Sequence, residues 1–476
     1  MLIETPNFNC HGHPILLPQS PTQRLPMAAD TAQLHDRIAT LEKEKIECLE
    51  LIKTLHRKIH ALEEENDLLA VENERLRAQE PLSVVDGQSN IAPETGIGIF
   101  DLPINTTYLE ECDGAKYITQ ELAEVEGVGG GLNPLCVRIC TFPSLPASAA
   151  PFIPDTVLVA VGGVDKFLTL YRVETNGSPS EKVLVLSGFG GPLLSLDFFA
   201  AGEEEGRLLV TCMDGSHSVV HFNKHRPVDA CVVHARKDHE KHAVIGRWSR
   251  CGRLYATGGH DKAVYLYDSN GGGPLKSFYF LGNVEALAFV DRPASGCGKV
   301  LKPLETGEAQ TRGEGGLSAC SRPFLIVASR NVAHLTYIDC DSFEKHTVSL
   351  NNALWDTHVS FSVLSLAVSP CQEFLLAATD KSRVILYRIG HNEQLRSLYG
   401  HRADEYSNPR VAWDRNGNYV YCSSQEGNEL VGWSLASERV VVKLKGHRAL
   451  VRDMTFDPAS CLLASIAYDK TLRLWS

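Results

Sequence analysis

From Lys116 to the end of the chain one unit recurs seven times, and this repetition limits the possible fold more than any other feature. The last copy is the clearest. It opens on Gly446-His447, runs through an apolar stretch at 451–456, turns at Asp457-Pro458 and continues at 462–466. A second turn, Tyr468-Asp469-Lys470, leads to a closing stretch that ends at Trp475. The same unit can be laid over residues 158–171 with Asp165, 208–222 with Asp214 and 254–267 with Asp261. It continues at 324–337, at 374–387 with Asp380 and at 419–433 with Glu426. Further strand-like runs lie between the units at 181–187, 228–234, 274–281, 344–350, 393–399 and 438–444. A unit this small cannot bury its apolar face alone, so neighbouring copies must share cores.

The Gly-His opening, the Asp turn and the Trp ending resemble the WD-repeat β-propeller family. The resemblance covers about three quarters of the chain and implies an all-β seven-bladed propeller over residues 116–476, preceded by a long α-helical coiled coil. A ring of seven four-stranded blades needs seven connecting strands, and only six are present between the units. Residues 116–123 (Lys-Tyr-Ile-Thr-Gln-Glu-Leu-Ala) stand where the seventh belongs, so pairing of that segment with the last blade is expected to remove the open edge. In this family the residues matching His447, Ser465, Asp469 and Trp475 form a structural network. That removes the reading of the first three as a nucleophilic triad, because buried polar groups in a blade must satisfy one another. The third unit carries His239, Thr257 and Asp261, with Tyr267 in place of Trp. Other units depart from the pattern: Asn331 takes the Asp position, Asp380 is out by one residue, and Glu426 sits in a longer turn. Apolar packing between sheets is expected to hold those blades.

Ahead of the repeats the composition changes. Residues 1–30 form a Pro-rich tail, expected to be disordered, in which translation could start at Met1 or Met27. Residues 31–79 contain neither Pro nor Gly. A heptad with Leu34 at d places Leu41, Cys48, Leu55, Leu62, Leu69 and Leu76 at later d positions, and Ile38, Lys45, Ile52, Ile59, Asn66 and Asn73 at a. An apolar repeat of seven this long drives helices to supercoil, and Ile at a with Leu at d suits a parallel dimer. Asn66 and Asn73 disfavour higher oligomers, while Arg37–Glu42, Lys58–Glu63 and Glu72–Arg77 would attract across the seam. A single amphipathic helix packed on the propeller, or a heterotypic partner helix, also fits; Leu49 and Leu51 widen the stripe enough for a third helix. Residues 80–115 read as a linker.

Few features point to chemistry. Net charge is −12 with no long basic stripe, which argues against nucleic-acid binding. The 14 cysteines show no paired spacing and read as thiols of a reducing compartment. Cys136 and Cys140 share one strand face and read as core. Cys10, His11 and His13 sit in the tail without a second cluster, so no metal site and no cofactor is expected. Gly127 to Gly131 lacks the Lys-Ser/Thr ending of a phosphate loop. No apolar run is long enough for a membrane helix and no secretory signal is evident, so a cytoplasmic location is expected, with the nucleus also open.

The expected role is a dimeric, non-enzymatic scaffold or adaptor that binds proteins or peptides. Propellers of this family typically dock partners on the face formed by the turns before the first strand and after the second. On this chain that face would carry Lys237, Lys262, Lys381, Arg402, Asp404, Glu405, Tyr406, Arg448 and Lys470, a mixture suited to a polar or acidic segment. The long loops at 143–155 and 291–322 would leave the opposite face, as disordered insertions or as a second binding element. A propeller enzyme would instead need acids or a metal cluster converging on the channel.

Overall fold

The computed structural model describes residues 117–142, 154–176, 179–292, 322–351, 360–403 and 407–476. It also describes four helical positions with exposed side chains, Arg37, Leu41, Lys43 and Lys45. The rest of the heptad seam (Leu34, Ile38, Ile52, Leu55, Ile59, Leu62, Asn66, Leu69, Asn73 and Leu76) lies outside the described residues. So do the tail, the linker, residues 293–321, and Asp404, Glu405 and Tyr406.

The repeats fold into seven four-stranded antiparallel sheets. The inner strands of blades one to seven are Pro134–Cys140, Leu193–Ala200, Ala243–Trp248, Val284–Arg292, Val363–Val368, Val411–Trp413 and Val451–Asp457. Each contacts the next, and the last contacts the first, so the sheets close into a ring. The second strand of a blade is covered on both sides by neighbouring sheets. This is why Leu254–Gly259, Phe374–Thr379 and Leu462–Ala467 are buried along their whole length and read as continuous apolar runs. Outer strands such as Cys231–Lys237 are mostly exposed and carry the charges.

The ring has no single core. Among the described residues seven apolar clusters form, one at each junction between adjacent blades. Cys136 and Cys140 belong to the cluster between blades one and two, where burial pushes both thiols well above their usual range.

Blade seven obtains its outer strand from the other end of the repeat region. Glu121–Val125 pairs antiparallel with Leu472–Trp475. Ser476 N donates to Gln120 O at 2.8 Å, and Thr119 N and Gln120 N donate to Ser476 O at 2.9 Å. Arg473, 5% exposed, pairs with Glu121 at 2.6 Å and with Glu124. Gly446 lies over this pair: a Cβ there would meet Arg473 Nη1 and Glu121 Oε2 at 2.8 Å. The pairing begins later than the 116–123 expected from sequence, because the first apolar residues of that segment serve blade six instead. Ile118 N donates to Tyr421 Oη at 2.9 Å, and the Tyr117 ring lies 5.4 Å from that of Tyr419.

Inner strands present an unpaired edge to the central channel, and two aspartates cap it. Asp453 of blade seven accepts from Val137 N at 2.9 Å, and Asp197 of blade two accepts from Trp248 N at 2.7 Å.

Candidate partner-binding face

The loops entering each inner strand and the turns leaving each second strand share one side of the ring. In blade seven that side is organised around Asp469. Its carboxylate accepts from His447 Nδ1 at 3.2 Å, Arg448 N at 2.8 Å, Thr471 N at 3.0 Å and Thr471 Oγ1 at 2.8 Å. These donors hold the carboxyl below its usual range against the opposing effect of burial. His447 Nε2 lies 2.8 Å from Ser465 Oγ, which also accepts from Trp475 Nε1 at 2.8 Å. Turn, entry loop and two strands are thereby tied by one chain of hydrogen bonds. The buried serine has its oxygen engaged twice within the blade, so it is not presented as a nucleophile.

Blade three repeats this design with one change. His239 Nδ1 lies 3.0 Å from both Asp261 oxygens, and Nε2 lies 2.9 Å from Thr257 Oγ1. Tyr267, in the Trp position, donates to Asp238 of the entry loop at 3.0 Å. Gly215 of the blade-two turn is needed beneath this loop: its φ is +88° and a Cβ would collide with the carbonyls of His239 and Lys241.

The remaining blades use the turn differently. Asn331 exchanges hydrogen bonds with Ser362 of blade five, tying blades four and five, and Asp380 accepts from Ser362 N at 2.8 Å within blade five, so neither binds a histidine. Glu426 points outward to Arg402 at 3.1 Å, both side chains 73% exposed. Sequence reading passed over His401, although Gly400-His401 repeats Gly446-His447. It is 2% exposed, neither ring nitrogen has a hydrogen-bond partner, and burial pushes its pKa down to about 4.

The described residues among those singled out for binding fall on this side. Lys237, Lys262, Lys381, Arg402 and Arg448 are exposed and Lys470 is half-buried. Lys166, which sequence reading passed over, joins them from the blade-one turn. Lys166, Lys262 and Lys470 sit in the left-handed conformation that follows the turn Asp. The acids and bases of these turns are used unequally. Asp214, Asp261, Asp380 and Asp469 accept backbone N–H groups, whereas the ammonium groups of Lys166, Lys262, Lys381 and Lys470 make no ion pair among the described residues. Glu240 is an exposed acid among them. A cavity of about 690 Å³ opens beside Lys262, between the loop at Leu281 and the turn at Arg330–His334, with Leu281 83% exposed at its rim.

Residues 438–476 match the WD domain, G-beta repeat. The chain thus carries a WD40 repeat within a seven-bladed propeller. Over 65 residues it is 38% identical to the Periodic tryptophan protein 2 homolog of Mus musculus, covering 14% of this chain and 7% of that one. Over 129 residues it is 23% identical to a Chromatin assembly factor 1 component of Gallus gallus, covering 23% and 22%. Over 142 residues it is 24% identical to the Chromatin assembly factor 1 subunit FAS2 homolog of Oryza sativa subsp. japonica, covering 29% and 27%. The chain therefore spans less than a third of the length of each of these relatives.

Proposed function

We propose that this WD40 propeller is a non-catalytic scaffold whose turn face docks acidic segments of partner proteins, and that residues 31–79 join two such propellers. The observation that carries the reading is the unequal use of charge on that face. Its aspartates are engaged by the turns, and its lysines are left to solvent although the whole chain is acidic, with net charge −12. Such an array steers an acidic segment to the ring, and Leu281 beside the adjacent cavity offers an apolar anchor. Pairing two propellers would convert weak contacts into firm attachment through effective concentration. Relatives named as components of an assembly factor favour a place within a multiprotein complex and make the nucleus a reasonable location.

Charge reversal tests the docking face. Lys262→Glu, Lys381→Glu and Lys470→Glu combined should leave the circular dichroism spectrum unchanged and remove the specific partners that co-purify with the wild type. Retention of every partner would refute the face assignment. Sedimentation of residues 27–80 tests the pairing: a dimer supports it, and a monomer indicates a heterotypic partner helix.

A further inference from the structure

We propose that the central channel binds a small polyphosphorylated anion, with Arg247, Arg410 and Arg452 forming its cationic wall. A cavity of about 520 Å³, within the range that accepts small ligands, lies in the channel and is lined from blades one, two, three, five, six and seven. Arg138, Arg247, Arg250 and Arg410 line it. Arg452 occupies the bulge between Val451 and Asp453 and lines a second cavity of about 270 Å³, which the Glu285–Arg330 pair and Arg402 also line.

Two carboxylates, Asp197 and Asp453, stand among these guanidinium groups, and each already caps a backbone N–H. Asp414 and Asp457, also in the lining, accept from their own turns. Arg138 pairs with Asp197 at 3.2 Å. Arg410, 9% exposed, lies 3.4 Å from Asp453, but its Nε makes no hydrogen bond. Arg247 donates only to neutral oxygens, Ser195 Oγ at 3.3 Å and Gly246 O at 2.9 Å. Arg452 makes no ion pair among the described residues, and its buried Nε has no partner. Burial, followed by repulsion from Arg138, pushes the Arg247 guanidinium down to about 10.

Buried guanidinium N–H groups left without an acceptor, such as Nε of Arg410 and of Arg452, are costly until an anion accepts from them. The guanidinium forks come from different blades and point to a ligand with several anionic groups in different directions. Planar forks match phosphate oxygens in pairs, which favours phosphate over a single carboxylate.

Inositol hexakisphosphate serves as the probe, titrated calorimetrically into the full chain at low ionic strength. The expected result is one saturable site, weakened by added salt and at least tenfold weaker in Arg452→Gln and in Arg247→Gln. Arg452→Gln breaks no ion pair and relieves like-charge repulsion, so its unliganded melting temperature should equal or exceed that of the wild type. The Lys262→Glu, Lys381→Glu, Lys470→Glu protein separates the channel from the turn face and should bind the probe as the wild type does. Absence of saturable binding, equal affinity in both arginine variants, or loss of binding in the lysine variant would each overturn the assignment.

Discussion

Blades six and seven open with the same dipeptide and end with the same residue, yet they are held together differently. In blade seven His447 is bracketed by Asp469 and Ser465, and Trp475 completes the chain of bonds. In blade six the equivalent His401 lies edge-on to Trp433, with ring centroids 5.7 Å apart and neither nitrogen satisfied. Trp433 Nε1 donates instead to Tyr399 O at 2.7 Å. The missing element is the turn acid, since Glu426 faces solvent. A blade can therefore dispense with the polar network when apolar clusters grip it on both sides, as they grip blade six. Blade seven has a second need: it must bind a strand from the far end of the repeat region, and a rigid, fully bonded blade is a better template for that.

Removing that strand should have the largest effect. Deletion of residues 117–125 leaves blade seven with an open edge, strands Arg473 without its carboxylates, and takes Ile118 from the cluster beneath blade six. Several kcal/mol of pairing and burial are lost together. Expected is a melting temperature lower by more than about 10 °C, or loss of soluble protein to aggregate, read by calorimetry and gel filtration. An unchanged transition would mean that the ring does not depend on its closure. Next in size is Asp469→Ala, which deprives His447, Arg448 N and Thr471 of their acceptor. A cost of about 2–4 kcal/mol in urea unfolding is expected for a buried network of this kind.

The parts of this structure that were legible in the sequence are those that repeat. Asp469, Asp261 and their histidines stand at equal spacings because the same turn must be satisfied in the same way. Asp380 could be seen as displaced by one residue, but its new partner, Ser362 N, could not, because the bond crosses to an entry loop of unrelated sequence. The closing strand was legible in its general position. Its true start depended on Tyr117 and Ile118 finding tyrosines more than three hundred residues away. The channel arginines were invisible for a related reason: Arg138, Arg247, Arg410 and Arg452 come from four different copies, and no local pattern signals that a ring brings them together.

The buried histidine of blade six gives an acid-sensitivity test. Its folded pKa of about 4 lies below the unfolded value near 6.5, so the unfolded chain binds the extra proton first. Stability is therefore complete above pH 6.5 and declines as the pH falls toward 4, by on the order of 2–3 kcal/mol from this residue. His401→Leu should remove that portion of the decline in pH-dependent urea unfolding. At pH 7 it should be neutral or slightly stabilising, because it also removes two unsatisfied nitrogens. A variant as acid-sensitive as the wild type would show that the ring is not held neutral.

The smallest expected effect concerns the acid that blade six does have. Glu426 stands at the turn, as Asp469 does in blade seven, but its partner Arg402 is as exposed as itself. A pair in that setting contributes well under about 1 kcal/mol and is screened by salt. Glu426→Ala should therefore shift the urea midpoint by less than about 0.5 kcal/mol equivalent, and 0.5 M salt should erase the difference. If it cost as much as Asp469→Ala, Glu426 would have to reach inward to His401 in solution. The contrast between the blades would then be one of turn length rather than of bonding.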